Sequence, residues 1–554
     1  MFFVLQVVLG LFAIQITATP LPRANSVTLD SATFTGTTSG RVTKFLGIPY
    51  AQPPTGDRRF RLPEPIPPYT GTVRATAFGP ACPQQSARLP LPDGLASDVV
   101  DLIVNTAYKA IFPDSEDCLS INVVVPTSAT PTSKLPVAVW IFGGGFELGS
   151  PSLYDGGLIV ERSIQLGEPV IYVSMNYRLS AFGFLASQEV KDAGVGNLGL
   201  QDQVHQQVSY THVDLRQSAQ FPWSFGGDPT KVTIWGESAG AISVALHMVA
   251  NDGNHEGLFR GAFMQSGSPI PVGDISHGQT YYDAIAAETG CSSASDTLAC
   301  LRSVPYSTLK TAVDHTPFIF DYQSLALAWL PRADGVFLTD NPQKLVQAGK
   351  VANVPFVTGD CDDEGTLFSL ANLNVTTTSQ VRTYIKTFFM PQSTNAELDQ
   401  MLNHYPLDLI QGSPFGTGIL NALSPQFKRL AAFQGDAVFQ APRRFFLQQR
   451  SSKQNTWAFL SKRFKAAPFL GSFHASDILN VYFGGELGDY LINFVNKLDP
   501  NGQGRGINWP KYTTSSPNLV TFNDNLFFPV TITQDTFRKD AINFLTGVTL
   551  ANPL

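Results

Sequence analysis

A strand, a sharp turn and a helix follow one another without interruption between residues 231 and 248. The segment 231–235 (KVTIW) is apolar and β-branched, Gly236-Glu237-Ser238-Ala239-Gly240 follows it, and the next residues are small and apolar. This G-x-S-x-G pattern predicts a nucleophile elbow, in which the flanking glycines let the turn close and expose the serine hydroxyl. The alternative is that Ser238 only caps the helix, since serine is a favoured N-cap residue. The buried strand before the turn favours the catalytic interpretation.

Two further runs, 136–142 (PVAVWIF) and 170–175 (VIYVSM), are continuously apolar, which is typical of strands covered on both faces. The alternation of such runs with helical stretches predicts an α/β fold with a mainly parallel central sheet flanked by helices. The stretch 45–60 is rich in Pro and Gly, and we expect it to cover the sheet edge rather than extend it. Residues 535–545 are expected to form a closing helix.

A nucleophilic serine needs backbone N–H groups that bind the oxyanion. The N–H of Ala239, directly after Ser238, is one candidate, and the helix N-terminus behind it adds a positive dipole. Gly144 and Gly145 follow the strand 136–142 and are further candidates, because glycines let the backbone approach a substrate. The alternative for these two residues is a plain Gly-rich turn.

A general base and an acid that orients it are also required. His474 lies in a Gly-led loop, 470–477 (LGSFHASD), that can present it at the rim of the sheet. His247 and His255 lie on or just after the helix behind Ser238 and are expected to pack or cap. The run 360–365 (DCDDEG) follows a strand-like segment and places a carboxylate cluster at its end. The residues alone leave the choice among its four acids open.

The formal net charge of −7 argues against a nucleic-acid partner, which requires a basic surface. The apolar run 2–14 is too short to span a bilayer, and small residues and prolines follow it. This pattern predicts a secretory signal peptide over 1–18, the alternative being a buried N-terminal strand. Because no later run of 18 apolar residues exists in the sequence, we expect a secreted, extracellular protein without a membrane span.

The five cysteines are too sparse for a disulfide-built scaffold and contain no C-x-x-C metal pattern. In an oxidising compartment neighbours in sequence are the simplest partners. This predicts the disulfides Cys82–Cys118 and Cys291–Cys300 and leaves Cys361 as a spare thiol. The sequon at Asn374 predicts an exposed, glycosylated loop.

Seven motifs are spread along the chain between residues 45 and 477: FLGIPYAQPPTGDRRF (45–60), SEDCLSINV (115–123), WIFGGGFELGS (140–150), NYRLSAFGFLAS (176–187), GESAG (236–240), GDCDDEGT (359–366) and LGSFHASD (470–477). On these motifs the chain resembles the type-B carboxylesterase/lipase family, and within it the fungal Candida rugosa-type lipases and sterol esterases. The resemblance implies an α/β-hydrolase fold in a single catalytic domain over 25–550, with no metal or cofactor. It also supports the two disulfides, and Phe142 is typical of the lipase branch.

The resemblance assigns roles to residues at six positions: Ser238 as nucleophile, Glu364 as acid, His474 as base, and Gly144, Gly145 and Ala239 as the oxyanion hole. Segments that border the acyl tunnel of the resembling lipases contain Phe318, Phe320, Trp329, Leu330 and Phe368. Without the resemblance, residues of these types more often belong to a hydrophobic core.

The loop 83–117, enclosed by the first predicted disulfide, contains 96–112 (ASDVVDLIVNTAYKAIF), which places its apolar residues on one helical face. The alternatives are a helix packed on the core and a lid that covers the site in water and opens at lipid. The resemblance implies a lid. Residues 204–224 depart from the family's shorter helix and lack helical periodicity, so either a loop replaces that helix or the segment reflects a misread exon boundary.

The sequence therefore predicts a secreted serine hydrolase with a Ser-His-Glu triad and an acyl-enzyme. Its expected partner is a lipophilic ester, such as a triacylglycerol or a sterol ester, at an oil–water interface. The alternatives are a carboxylesterase for short-chain or aryl esters, such as feruloyl esters, and a non-catalytic binding protein on the same fold.

Overall fold

The computed structural model describes residues 25–86, 113–211 and 224–554, without the side chains of 205–211. The predicted signal peptide (1–18) lies outside these ranges. So do residues 96–112 of the predicted lid loop and residues 212–223.

The strands are β1 Ser26–Leu29, β2 Ser31–Thr35, β3 Thr37–Ser39, β4 Val42–Pro49, β5 Thr70–Arg74, β6 Ser120–Pro126, β7 Leu135–Ile141, β8 Ile171–Met175, β9 Gly227–Glu237, β10 Gly261–Gln265, β11 Phe356–Cys361, β12 Thr456–Lys462, β13 Asn518–Asn523 and β14 Val530–Gln534.

The α-helices are α1 Gly156–Gln165, α2 Ser180–Phe184, α3 Gln188–Asp192, α4 Leu198–Thr211, α5 Ala239–Val249, α6 Gln279–Glu288, α7 Thr297–Ser303, α8 Tyr306–Asp314, α9 Pro342–Gln347, α10 Thr366–Ser369, α11 Thr378–Phe388, α12 Asn395–His404, α13 Phe427–Gly435, α14 Ala441–Arg450, α15 Ile478–Tyr482, α16 Glu486–Lys497 and α17 Lys539–Ala551. Short 3₁₀ turns lie at Gly56–Arg58, Pro151–Leu153, Ala250–Gly253, Ile275–Gly278 and Leu370–Asn372, and a π-helical turn, Asp436–Gln440, joins α13 to α14.

An 11-stranded sheet organises the described residues, in the order β14-β13-β12-β11-β10-β9-β7-β8-β6-β4-β3, and β1, β2 and β5 form a separate small sheet. The strands from β8 to β13 in this order are parallel, while both margins are antiparallel. The predicted α/β class with a mainly parallel centre is confirmed. The carboxyl ends of the parallel strands share one edge, where ligand sites of such sheets are built.

The predicted central strands form because their side chains are buried on both faces. β7 and β8 coincide with the predicted apolar runs, and β9 contains the predicted run 231–235. Trp140 of β7 and Trp235 of β9 contact one another with ring centroids 4.3 Å apart, and both are fully buried. A second apolar cluster, separate from the core around the sheet, packs α10 to α13 and α17 against the carboxyl edge.

Two local expectations are wrong. Residues 45–49 do not merely cover the sheet edge, because they belong to β4, which pairs with β3 and β6 inside the sheet; the Pro- and Gly-rich part begins only after this strand. Residues 204–211 were expected to be non-helical, but α4 continues through Thr211. The closing helix exists, although it spans Lys539–Ala551 instead of 535–545.

Both predicted disulfides are present. Cys82 is bonded to Cys118 and Cys291 to Cys300, and Cys361 is a buried free thiol. The first disulfide closes the base of the loop 83–117. Asn374 is exposed at a turn before α11, and its glycosylation remains a prediction.

Candidate active site

The turn between β9 and α5 holds Ser238 in a strained conformation. Its φ of 55° and ψ of −126° lie in the left-handed half of backbone space, where a side chain costs roughly 1–3 kcal/mol. A Cβ on Gly240 would lie 1.9 Å from the carbonyl oxygen of Ile141, so only glycine allows α5 to approach β7 this closely. The geometry of the predicted elbow is therefore present, with the serine as the last residue before the helix.

Ser238, His474 and Glu364 form one hydrogen-bonded chain. His474 Nε2 lies 2.7 Å from Ser238 Oγ, and His474 Nδ1 lies 2.5 Å from Glu364 Oε2. All three side chains are buried, and the rings of Phe368 and Phe439 lie 5.1 and 4.7 Å from the imidazole. This arrangement can take a proton from the serine hydroxyl and stabilise the resulting imidazolium.

The four acids at the carboxyl end of β11 have different partners. Glu364 alone of the four bonds to His474, and its other oxygen accepts hydrogen bonds from Ser266 Oγ at 2.6 Å and from the N–H of Cys361 at 2.5 Å. Asp363 instead pairs with Lys465 at 2.6 Å. A parallel backbone bridge between Asp363 and Phe473 joins the segment after β11 to the segment just before His474.

The remaining two acids are structural. Asp360 forms a buried ion pair with Arg443 at 2.8 Å, and Asp362 pairs with Lys465 at 2.6 Å. Sequence reasoning could not separate these four acids, because their partners lie 80 residues or more away in the chain.

Glu237, the residue before Ser238, is a further titratable group at the site that the sequence reasoning did not single out. Its Oε1 lies 3.3 Å from His474 Nε2 and has no hydrogen-bond partner among the described residues. Burial raises the pKa of Glu237 to about 8. Burial also lowers the pKa of His474, but the charges of Glu364 and Glu237 outweigh it and raise that pKa to about 9.

Replacing Glu237 by Gln is expected to move the acid limb of the pH–rate profile to lower pH. The amide carries no charge that favours the imidazolium, so His474 loses its proton more readily and the free base is present at lower pH. The measurement is kcat/KM on a dissolved short-chain ester from pH 5 to 10 for both proteins. An acid limb that stays in place or moves to higher pH contradicts this electrostatic coupling.

Two of the three predicted oxyanion residues lie in the same cavity lining as the serine. Gly145 and Ala239 line one cavity together with Ser238, whereas Gly144 lies next to that lining. Gly144 has a φ of 114°, and a Cβ there would lie 2.1 Å from the carbonyl oxygen of Leu148, so the turn requires glycine. The loop 83–117 starts beside this turn, since the N–H of Gly149 donates to Gln84 Oε1 at 2.6 Å.

The cavity at Ser238 is apolar and leads into the second apolar cluster. It contains about 750 Å³ of empty space, open solvent at its mouth included. Its walls come from distant parts of the chain: Ile319, Leu325, Leu327 and Leu330, then Phe433 and Ala437 to Phe439, then Leu545, Thr549 and Leu554. Apolar walls suit a hydrocarbon chain.

Two of the five predicted tunnel residues, Leu330 and Phe368, line this cavity. Phe320 stacks on Phe368 with ring centroids 6.1 Å apart, and it meets Phe318 edge to face at 5.7 Å, so Phe318 and Phe320 lie behind the wall. Trp329 is fully buried in the main core, where its Nε1 donates to Thr316 Oγ1. The walls from 433–439 and 545–554 were missed, because no local pattern distinguishes them from core.

The other histidine on the elbow helix, His247, does not reach the site. Its Nε2 lies 2.7 Å from Gln203 Oε1, and burial lowers its pKa to about 3. Within the described ranges no group of three or more His, Cys, Asp or Glu side chains is arranged to hold a metal ion. None of the helices in these ranges has the length and apolarity needed to cross a membrane.

The chain matches the family model described as "Carboxylesterase family" over residues 23–544. Lipase 4 of Diutina rugosa is 45% identical over 494 residues, covering 86% of this chain and 88% of that protein. Secreted lipase 1 of Botryotinia fuckeliana is 42% identical over 545 residues, covering 95% and 93%. Secreted triacylglycerol lipase LIP1 of Gibberella zeae is 40% identical over 545 residues, covering 94% and 90%.

Among solved structures, EstA of Aspergillus niger superimposes with a TM-score of 0.79 at 28% identity, covering 95% of this chain and 98% of that one. The resemblance extends over nearly the whole length of both chains, so it includes the sheet and the helices that surround the site.

Proposed function

This chain belongs to the carboxylesterase family and is a carboxylic ester hydrolase, and we propose that it is a secreted lipase whose nucleophile is Ser238. The preferred substrates in this proposal are esters of long-chain fatty acids, such as triacylglycerols or sterol esters. His474 acts as the general base, and Glu364 orients it. The N–H groups of Gly144, Gly145 and Ala239 bind the oxyanion.

The proposed reaction has two halves. Ser238 Oγ attacks the ester carbonyl while His474 Nε2 takes its proton, and the protonated imidazole then gives this proton to the departing alcohol. A water molecule next gives a proton to His474 and attacks the acyl-enzyme, and the imidazolium returns that proton to Ser238 Oγ as the fatty acid leaves. Each half passes through a tetrahedral intermediate whose former carbonyl oxygen is negatively charged. The backbone donors stabilise this oxygen, and each donor is worth roughly 10²–10³ in turnover.

The observation that carries the long-chain preference is the apolar cavity that opens at Ser238. A fatty acyl chain placed in it buries its methylenes, each of which contributes about 0.8 kcal/mol. The cavity has apolar side chains on all its contributing segments, from Ile319 to Leu545. The relatives named as lipases support the same substrate class.

A chain-length series tests this function. Initial rates on glycerol or sterol esters from acetyl to oleoyl are expected to give a kcat/KM that rises with acyl length. A maximum at acetyl or at feruloyl esters, with no turnover of oleoyl esters, contradicts the lipase proposal and favours a short-chain or aryl carboxylesterase.

Ala437→Phe is expected to shorten the preferred acyl chain. Ala437 lines the cavity and is 8% exposed, so a larger side chain occupies space that the acyl chain needs. We expect kcat/KM on oleoyl esters to fall by roughly tenfold or more relative to acetyl esters, since several methylenes lose their contacts. The ratio within one variant is measured because overpacking also destabilises by about 1–3 kcal/mol and lowers both rates. An unchanged ratio of oleoyl to acetyl kcat/KM would mean that the acyl chain does not lie beside Ala437.

We also propose that residues 25–550 form one catalytic domain, since strands from Thr37 to Gln534 enter the same sheet. Two disulfides fit an oxidising compartment, and two relatives are named as secreted, which supports secretion. Detection of the chain in culture medium, with both disulfides intact, tests this part.

A further inference from the structure

The tip of the β13–β14 hairpin carries three consecutive large apolar residues. Leu526, Phe527 and Phe528 are 93, 87 and 66% exposed, and we refer to them as the apolar tip. A single exposed apolar side chain is ordinary on a protein surface, but a contiguous group marks an interaction site.

The apolar tip is part of a well-formed turn. The β13–β14 ladder ends with Phe522 paired to Val530. Beyond it the N–H groups of Phe527 and Phe528 donate to Asn525 Oδ1 at 2.8 and 3.1 Å. These hydrogen bonds hold the turn while leaving its apolar side chains in solvent.

The hairpin projects from the same edge of the sheet as the candidate active site. β13 runs parallel to β12 and pairs Asn523 with Lys462, so both strands end at the carboxyl edge. Asp524 accepts hydrogen bonds from the N–H groups of Phe464 and Lys465 at 3.0 and 2.9 Å.

These contacts connect the hairpin to the loop 470–477, which carries His474. The Phe464 ring lies 6.4 Å from that of Phe473, the residue before His474. The turn that carries the apolar tip is thus hydrogen-bonded through Asp524 to residues 464 and 465, and Phe464 in turn contacts the residue before the proposed general base.

Exposed apolar residues continue from the tip along this edge. Phe469, directly before the loop 470–477, is 44% exposed, and its N–H donates to Asn421 Oδ1 at 3.1 Å. Ile419 and Leu420 on that neighbouring loop are each 69% exposed. Exposed apolar residues therefore lie on three loops, each of which is hydrogen-bonded to the next.

The cations at the base of this surface are neutralised. Lys465 pairs with Asp362 at 2.6 Å, and Arg463 pairs with Glu486 at 2.7 Å. An anionic bilayer is recognised through unpaired Lys and Arg, whereas this surface offers apolar contacts beside compensated charges. Its chemistry fits an uncharged lipid phase.

We propose that the apolar tip inserts into the surface of a neutral lipid phase and holds the catalytic edge of the sheet against the water-insoluble ester. The identity of the lipid rests on the proposed lipase function, whereas insertion itself requires no catalysis. The competing occupant is a second copy of this chain, because β14 is an edge strand of the sheet and edges can pair with one another.

Flotation with triolein droplets coated with phosphatidylcholine tests the proposal. The parent is the full chain carrying Ser238→Ala, so that the droplets are not hydrolysed. The test variant adds Leu526→Ser, Phe527→Ser and Phe528→Ser. The control adds Val336→Ser, which removes an apolar side chain that is 64% exposed near the far end of α5. Thermal unfolding midpoints establish that all three proteins are folded.

The triple variant is expected to bind droplets about tenfold more weakly or worse, since three large side chains lose their apolar contact. Val336→Ser should bind like the parent, and binding by the parent should persist in about 1 M NaCl, where ion pairing is screened. Equal binding by the triple variant and the parent overturns the proposal. So does loss of a dimer in sedimentation without loss of droplet binding, which assigns the tip to a second copy.

The same triple change in the active enzyme separates this proposal from the proposed function. The ratio of the rate on triolein droplets to the rate on dissolved triacetin is expected to fall with droplet binding. If the enzyme hydrolyses triolein and the ratio is unchanged, the tip proposal fails while the lipase function stands. If droplets bind through the tip but no long-chain ester is cleaved, the lipase function fails while the tip proposal stands.

Discussion

Ser238→Ala is expected to lower the turnover of every ester by roughly 10⁴–10⁶-fold, since loss of the nucleophile leaves only the oxyanion donors and substrate binding. The fold should persist. The substitution removes one hydrogen bond, at 2.7 Å to His474, and adds no volume. The measurement is kcat on a dissolved and on an emulsified ester, with the thermal unfolding midpoint as the test of folding.

Ser243→Ala is the matched control on the same helix. Ser243 lies one turn along α5, where its hydroxyl donates to the carbonyl of Ala239 at 2.8 Å, and it does not line the cavity. We expect its activity to stay near that of the parent. If Ser238→Ala kept more than a few per cent of the activity, another nucleophile would have to carry the reaction.

Glu364→Gln is expected to lower kcat by about 10⁴-fold, as the loss of the orienting carboxylate does in the serine-protease triad from which this figure is taken. The amide keeps the shape of the side chain, but it cannot stabilise the imidazolium of His474. It can also present its NH₂ group to Nδ1, which selects the wrong tautomer. Steady-state kcat and KM on a dissolved ester are the measurement.

Asp363→Asn is the control for this change. The Asp363 carboxylate accepts the N–H groups of Phe415 and Ser472 at 2.7 and 2.8 Å, and it pairs with Lys465 instead of His474. The loss should therefore appear in the thermal midpoint more than in kcat. A larger effect of Asp363→Asn than of Glu364→Gln on kcat contradicts the assignment of the acid.

The parts of the fold that were predictable from sequence have local causes. β7, β8 and β9 were predictable because strands buried on both faces must be continuously apolar. The elbow was predictable because a strained turn between strand and helix demands glycines at fixed offsets, and Gly240 has no room for a Cβ. The β4 strand was not predicted, because the prolines after residue 49 made the whole segment 45–60 resemble an irregular connection.

The parts that were not predictable depend on contacts between distant residues. Glu364 differs from Asp363 in its orientation, which is set by Lys465 and by the bridge to Phe473 about 100 residues away. The segments 433–439 and 545–554 have ordinary apolar sequences. They become cavity walls only because α13 and α17 pack beside the elbow. In the sequence, only the family resemblance identified Glu364 as the acid.

Covalent capture of the nucleophile tests the central proposal most directly. A long-chain alkyl p-nitrophenyl phosphonate is attacked at phosphorus by an activated serine, which forms an O–P bond and releases p-nitrophenolate. We expect one equivalent of p-nitrophenolate per protein, complete loss of ester hydrolysis, and a phosphonate adduct that mass spectrometry locates on Ser238. The Ser238→Ala variant should release none. An adduct on another residue, or full ester hydrolysis by protein that is completely labelled at Ser238, would contradict the proposed mechanism.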